Sequence, residues 1–127
     1  MLKNVYFTLI MLGFLFSPHA FSYQNVEVNP AFACQNAEST EKSNFCSSFT
    51  VAAKCHCVAN GLGPACQSVD HIAARLTSFF GSLDKACRVQ RNTTPQNCLD
   101  SWNCYLYGGV DSFNRPCNAT GIACPKS

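Results

Sequence analysis

The sequence predicts an all-α fold: a small disulfide-rich domain of about four short helices, with an extended N-terminal arm and an irregular C-terminal tail. Three observations predict it. Ten cysteines lie behind what reads as an N-terminal export signal. Apolar residues recur at intervals of three and four through the middle of the chain, the spacing of one helix face. Capping hydroxyls and glycines then mark where such helices start and stop.

The leader comes first. Lys3 supplies a positive end, Val5 to Phe16 form an apolar run, Pro18 ends it, and Ala20-Phe21-Ser22 offers small residues at a cleavage site. Residues 1–22 therefore read as a secretory signal cut after Ser22. The apolar run is about a dozen residues, short of the roughly 20 needed to span a bilayer. "AFAC", ending at Cys34, has a lipoprotein-like look but lies well beyond the apolar run. Cleavage leaves about 105 residues, enough for one modest core. No later stretch is apolar enough for a transmembrane segment in the mature chain. Only Lys3 of the charged residues leaves with the leader, so the mature charge is about +1, with both signs scattered. Phosphate backbones demand concentrated basic surface, so nucleic acid is not an expected partner. Lys85, Arg88 and Arg91 are placed to share one helical face, most simply a solvated one.

Residues 23–33, "YQNVEVNPAFA", read as an extended N-terminal arm, either frayed or able to pair with a partner's sheet edge. Residues 34–127 form the disulfide-stapled helical domain. Its first helix is expected from Glu41 to about Asn60, with Phe45, Phe49, Ala52 and Ala53 as a buried stripe and "ANG" as the stop. A second runs from Pro64 to Phe80, burying Cys66, Val69, Ile72, Ala73, Leu76, Phe79 and Phe80. Gly81 ends it. Ser82 caps a short third helix, "SLDKACRVQ", which buries Leu83, Ala86 and Cys87. Thr94 and Pro95 begin a fourth, with Cys98, Leu99, Trp102, Tyr105 and Leu106 inward and Gly108-Gly109 as the stop. The rest is a tail pinned by Cys117 and Cys124.

The cysteines carry the main chemical question. All ten (Cys34, Cys46, Cys55, Cys57, Cys66, Cys87, Cys98, Cys104, Cys117 and Cys124) follow the predicted cleavage point. An even count at this density in an exported chain predicts five bridges. Cys57 with Cys66 and Cys87 with Cys98 flank turns and are expected to pair; Cys117 with Cys124 would close the tail on itself, although either could reach the helical body instead. The competing use of "KCHCVANGLGPAC" is a metal site on Cys55, His56, Cys57 and Cys66. It lacks a second cysteine pair and needs reduced thiols, so the bridges are preferred and no cofactor is expected.

Catalytic alternatives rest on two histidines. Asp70-His71 lies on the second helix, where adjacent residues diverge by about 100°. The glycine-rich "CHCVANGLG" and "CQSVDH" echo the calcium loop and catalytic helix of secreted phospholipases A2, but without the Cys-Cys pair and with the His-Asp order reversed. A small hydrolase would have to use His71 or His56. Cysteine-rich lipid-transfer proteins share the helix count and a Cys-x-Cys, but their adjacent Cys-Cys pair is missing here. Asn92-Thr93-Thr94 and Asn118-Ala119-Thr120 are glycan acceptor sequons in predicted loops.

"CHC" and "DSWNCYLYGG", within Cys55 to Gly109, resemble small cysteine-rich exported proteins associated with bacterial type IVB (Dot/Icm-like) secretion systems. The resemblance implies a periplasmic or outer-membrane-associated subunit packed among protein partners of an envelope complex, with no catalytic residue. The expectation is an exported, non-enzymatic structural or protein-interaction module. A secreted effector, toxin or inhibitor is the alternative, extracellular if the source is not bacterial. Trp102, Tyr105 and Tyr107 are the candidate interaction residues, with Trp102 placed more naturally in the core than at a contact surface.

Overall fold

The computed structural model describes residues 34–127. The predicted leader and arm lie outside the described residues. Within them the chain is helical: α1 spans Phe45–Ala59, α2 Val69–Phe80, α3 Leu83–Arg88 and α4 Pro95–Tyr107, with 3₁₀ turns at Gly63–Gln67 and Cys117–Ala119. Among the described residues the only β pairing is an isolated bridge between Val110 and Pro116.

Local chemistry sets most boundaries. Ser82 and Thr94 cap α3 and α4 as expected, their hydroxyls accepting from Lys85 N at 3.1 Å and Asn97 N at 3.2 Å. Gly81 closes α2 in the left-handed conformation, φ 89°. Two boundaries differ from expectation. The Pro64–Phe80 helix is broken at Ser68, which is extended (φ −138°, ψ 152°) and caps α2 by accepting from His71 N at 3.2 Å. The capping hydroxyl wins over continuity of the apolar stripe. α1 begins at Phe45 and not at Glu41, because residues 40–44 turn to meet the tail.

One core forms between α1, α2 and α4. Phe49 is its hub, with ring centroids 5.5 Å from Phe45, 5.0 Å from Trp102 in an edge-on contact and 5.0 Å from Tyr105. Val69, Ile72, Ala73 and Leu76 pack in from α2, and Ala86 from α3. Phe79 does not: it is 74% exposed. It continues the Ile72 stripe, yet the chain reverses at Gly81 and its ring meets Phe80 edge-on, which alone of this last turn packs on the core.

All ten cysteines are paired. Cys57–Cys66 and Cys87–Cys98 close the expected turns. Cys34–Cys55 ties the start of the domain to α1. The Cys117–Cys124 pairing is corrected: Cys117 bonds Cys104 and Cys124 bonds Cys46. The reason is the path of the tail. Asn118 (φ 53°), Ala119 (φ 58°) and Gly121 (φ 73°) turn the chain through left-handed conformations, and it then runs back along α4. Cys124 N donates to Tyr105 O at 3.0 Å, which delivers Cys124 to α1. Gly108 permits the close approach: at φ 68°, any Cβ there would lie 2.5 Å from Ala123 N.

Candidate functional site

A groove of about 570 Å³ lies between residues 36–40, α1, α2 and α4. Its floor is apolar, from Phe49, Ala52, Ala53, Ile72, Leu76 and Trp102. Sites that hold small ligands have this volume and this kind of lining. Its rim is rich in amides, including Asn36, Asn60, Gln90, Asn92 and Asn97, and carries the charged residues Glu38, Asp100 and Arg115. A second concavity of about 290 Å³ adjoins it, sharing Asn60, Leu62, Leu76 and Gln90 and lined also by Arg75, Phe79, Phe80 and Val89.

At the rim three elements meet through side chains. Asn92 donates to Asn36 Oδ1 at 3.3 Å and sits 3.3 Å from His56 Nε2. Partial burial pushes the His56 imidazole below its ordinary value, which favours the neutral ring in this contact. His71 is an exposed residue of α2, whose backbone serves the Ser68 cap. Among the described residues neither histidine ring is hydrogen-bonded to a hydroxyl or a carboxylate, the contact a general base would use on a nucleophile. Cys55, Cys57 and Cys66 hold their sulfurs in bridges and offer no thiolate to a metal. No group of three metal-ligating side chains converges among the described residues.

The aromatic candidates separate. Trp102 and Tyr105 are 7% and 2% exposed, members of the core, while Tyr107 is 75% exposed. The Tyr105 hydroxyl donates to Pro125 O at 3.1 Å and lies 2.8 Å from Ser127 Oγ, so its role is to hold the tail. Lys85, Arg88 and Arg91 do not share a helix face, because α3 ends at Arg88, which pairs with Asp84 at 2.8 Å. Asn92 of the first sequon is exposed; Asn118 of the second is half-buried and donates its backbone N–H to Thr40 O at 2.7 Å.

Two buried acids escaped the sequence reading. Asp111 accepts from Thr40 Oγ1 at 2.8 Å, Phe113 N at 2.9 Å, Arg115 N at 3.0 Å and Arg115 Nε at 2.8 Å. Burial alone would raise its pKa. The four donors outweigh burial and hold the carboxyl below its ordinary range. Arg115 also reaches Glu41 at 3.4 Å. Asp100 accepts from Gln96 Nε2 at 3.1 Å and from both the backbone and the hydroxyl of Ser112. Both acids clamp the tail to the helical body. Asp111, in a glycine-rich tail, resembles an ordinary turn former, and Asp100 an ordinary polar position of α4, so no sequence pattern marked them.

Among the described residues no helix is long and apolar enough to cross a membrane. Comparisons of the chain with protein-family profiles, with curated proteins and with solved structures gave no match.

Proposed function

We propose that this chain is an exported, non-enzymatic module that presents a rigid surface to protein partners, as a subunit of a bacterial envelope or secretion assembly. The observation that carries the reading is an exposed apolar end on a covalently fixed frame. Tyr107, Val110 and Ile122 are 75%, 57% and 67% exposed. Their backbone segments are joined: Gly109 N donates to Gly121 O at 2.8 Å, and Cys117 N donates to Gly109 O at 2.9 Å. The Cys104–Cys117 bridge fixes the same corner. A surface already immobilised by crosslinks loses little entropy on docking, and tyrosine is a favoured anchor at interfaces. The envelope setting rests on the sequence resemblance and on the density of disulfides, which persist in oxidising compartments.

Affinity capture of the tagged protein from solubilised envelopes of its native cell tests this. The expected result is a reproducible set of envelope proteins that is lost in a Tyr107→Ala/Ile122→Asp variant with all bridges intact. Recovery of the protein from the medium with no envelope partner would overturn the reading in favour of a released effector.

A further inference from the structure

The groove described above has features that protein docking at the Tyr107 corner does not use. Its two compartments adjoin at Leu62 and Leu76, which line both. The charges along it are unequal. In the smaller compartment Arg75 is the only ionised lining residue, and no ion pair engages it among the described residues. In the larger compartment Arg115 is neutralised by Asp111 and Glu41, while Glu38 and Asp100 add negative charge. One end therefore attracts an anion and the other does not, with an apolar floor between them.

We propose that this groove binds a single-chain anionic amphiphile, its acidic head at Arg75 and its alkyl chain laid past Leu62 and Leu76 toward Trp102. A peptide laid on the apolar floor would have to turn its N–H and C=O groups away from Leu62, Leu76 and Phe80 to the amides of the rim, because leaving them unpaired is costly. An alkyl chain brings none. The head is defined by its chemistry: a free carboxylate or the phosphate of a single-chain lipid meets the same guanidinium.

Trp102 is the only tryptophan in the chain and borders the groove, so its emission reports occupancy. The oxidised protein is titrated with dodecanoate, dodecyl phosphate and dodecanol, each below its micellar concentration. Saturable changes in emission are expected, strongest for the two anions. Arg75→Gln should raise Kd for both anions about tenfold, the scale of one charge-assisted hydrogen bond, and leave dodecanol unchanged. Comparison of the two anions shows which head is preferred. Ala53→Leu, which narrows the larger compartment, should weaken all three ligands. Arg75 is exposed, so its variant keeps the test decidable if Ala53→Leu misfolds. No saturable response to any ligand overturns the proposal, as does binding indifferent to Arg75→Gln. A concentration-dependent dimer that dodecanoate does not oppose would give the groove to a second copy and overturn it too.

Discussion

Removing the Cys46–Cys124 bridge is expected to do more damage than its single covalent bond would imply. The bridge spans 78 positions, the longest separation of the five. Loop-closure entropy for a loop of that size contributes about 4.5 kcal/mol. The inner bridges shorten the path: through Cys57–Cys66, Cys87–Cys98 and Cys104–Cys117 the covalent loop runs about 49 residues, which lowers the figure to about 4 kcal/mol. A domain this small has roughly 5–15 kcal/mol in total. The Cys46→Ala/Cys124→Ala variant should therefore lose about 4 kcal/mol in urea titrations followed by circular dichroism. Its m-value should also rise, because the denatured chain is less confined. Cys57→Ala/Cys66→Ala removes a bridge of separation 9, worth about 2.7 kcal/mol by the same rule, and should barely change m. A loss below about 1 kcal/mol for the long bridge, with m unchanged, would refute the reasoning.

Other outcomes follow from single side chains. Phe49→Ala should cost about 3–5 kcal/mol in the same titration, since the ring touches three aromatic neighbours at the centre of the core. Gly108→Ala should cost more than about 2 kcal/mol, because its φ is positive and a Cβ would strike backbone atoms of residues 121–123. Asp111 has its pKa depressed in the folded state, so its contribution is present above the ordinary carboxylate value of 3.8 and is lost as pH falls through the lower folded value. Asp111→Asn should flatten the acid limb of a stability–pH curve; an unchanged limb would reject that role. His56 has a folded pKa below the ordinary 6.5, so the unfolded chain binds the extra proton first and stability drops as pH falls from that value. Its imidazole resonances should titrate below 6.5 by NMR.

Most local chemistry was legible in the sequence, the Ser68 cap excepted, and long-range geometry was not. Ser82, Thr94 and Gly81 act within one turn of where they stand, so their caps could be read directly. Cys57–Cys66 and Cys87–Cys98 close short turns and were readable for the same reason. Cys46–Cys124 depends on the tail lying along α4 through the Tyr105 contacts, which no spacing encodes. Phe79 shows the limit of periodicity: the helical interval placed it on the inward stripe, but burial also needs a neighbour to cover it. The groove was invisible for a related reason. Its lining comes from segments far apart in the chain, and residues such as Leu62, Gln90 and Asn97 carry no motif.

The interleaving of the first two bridges, Cys34–Cys55 and Cys46–Cys124, also bears on biogenesis. If the chain is exported as proposed and oxidised vectorially, Cys46 meets the thiols of Cys34, Cys55 and Cys57 long before Cys124 arrives. Premature partners must then be reshuffled by thiol exchange, which takes seconds to hours depending on oxidant and isomerase. Yield of the native isomer should therefore depend on a disulfide isomerase, and not on an oxidase alone.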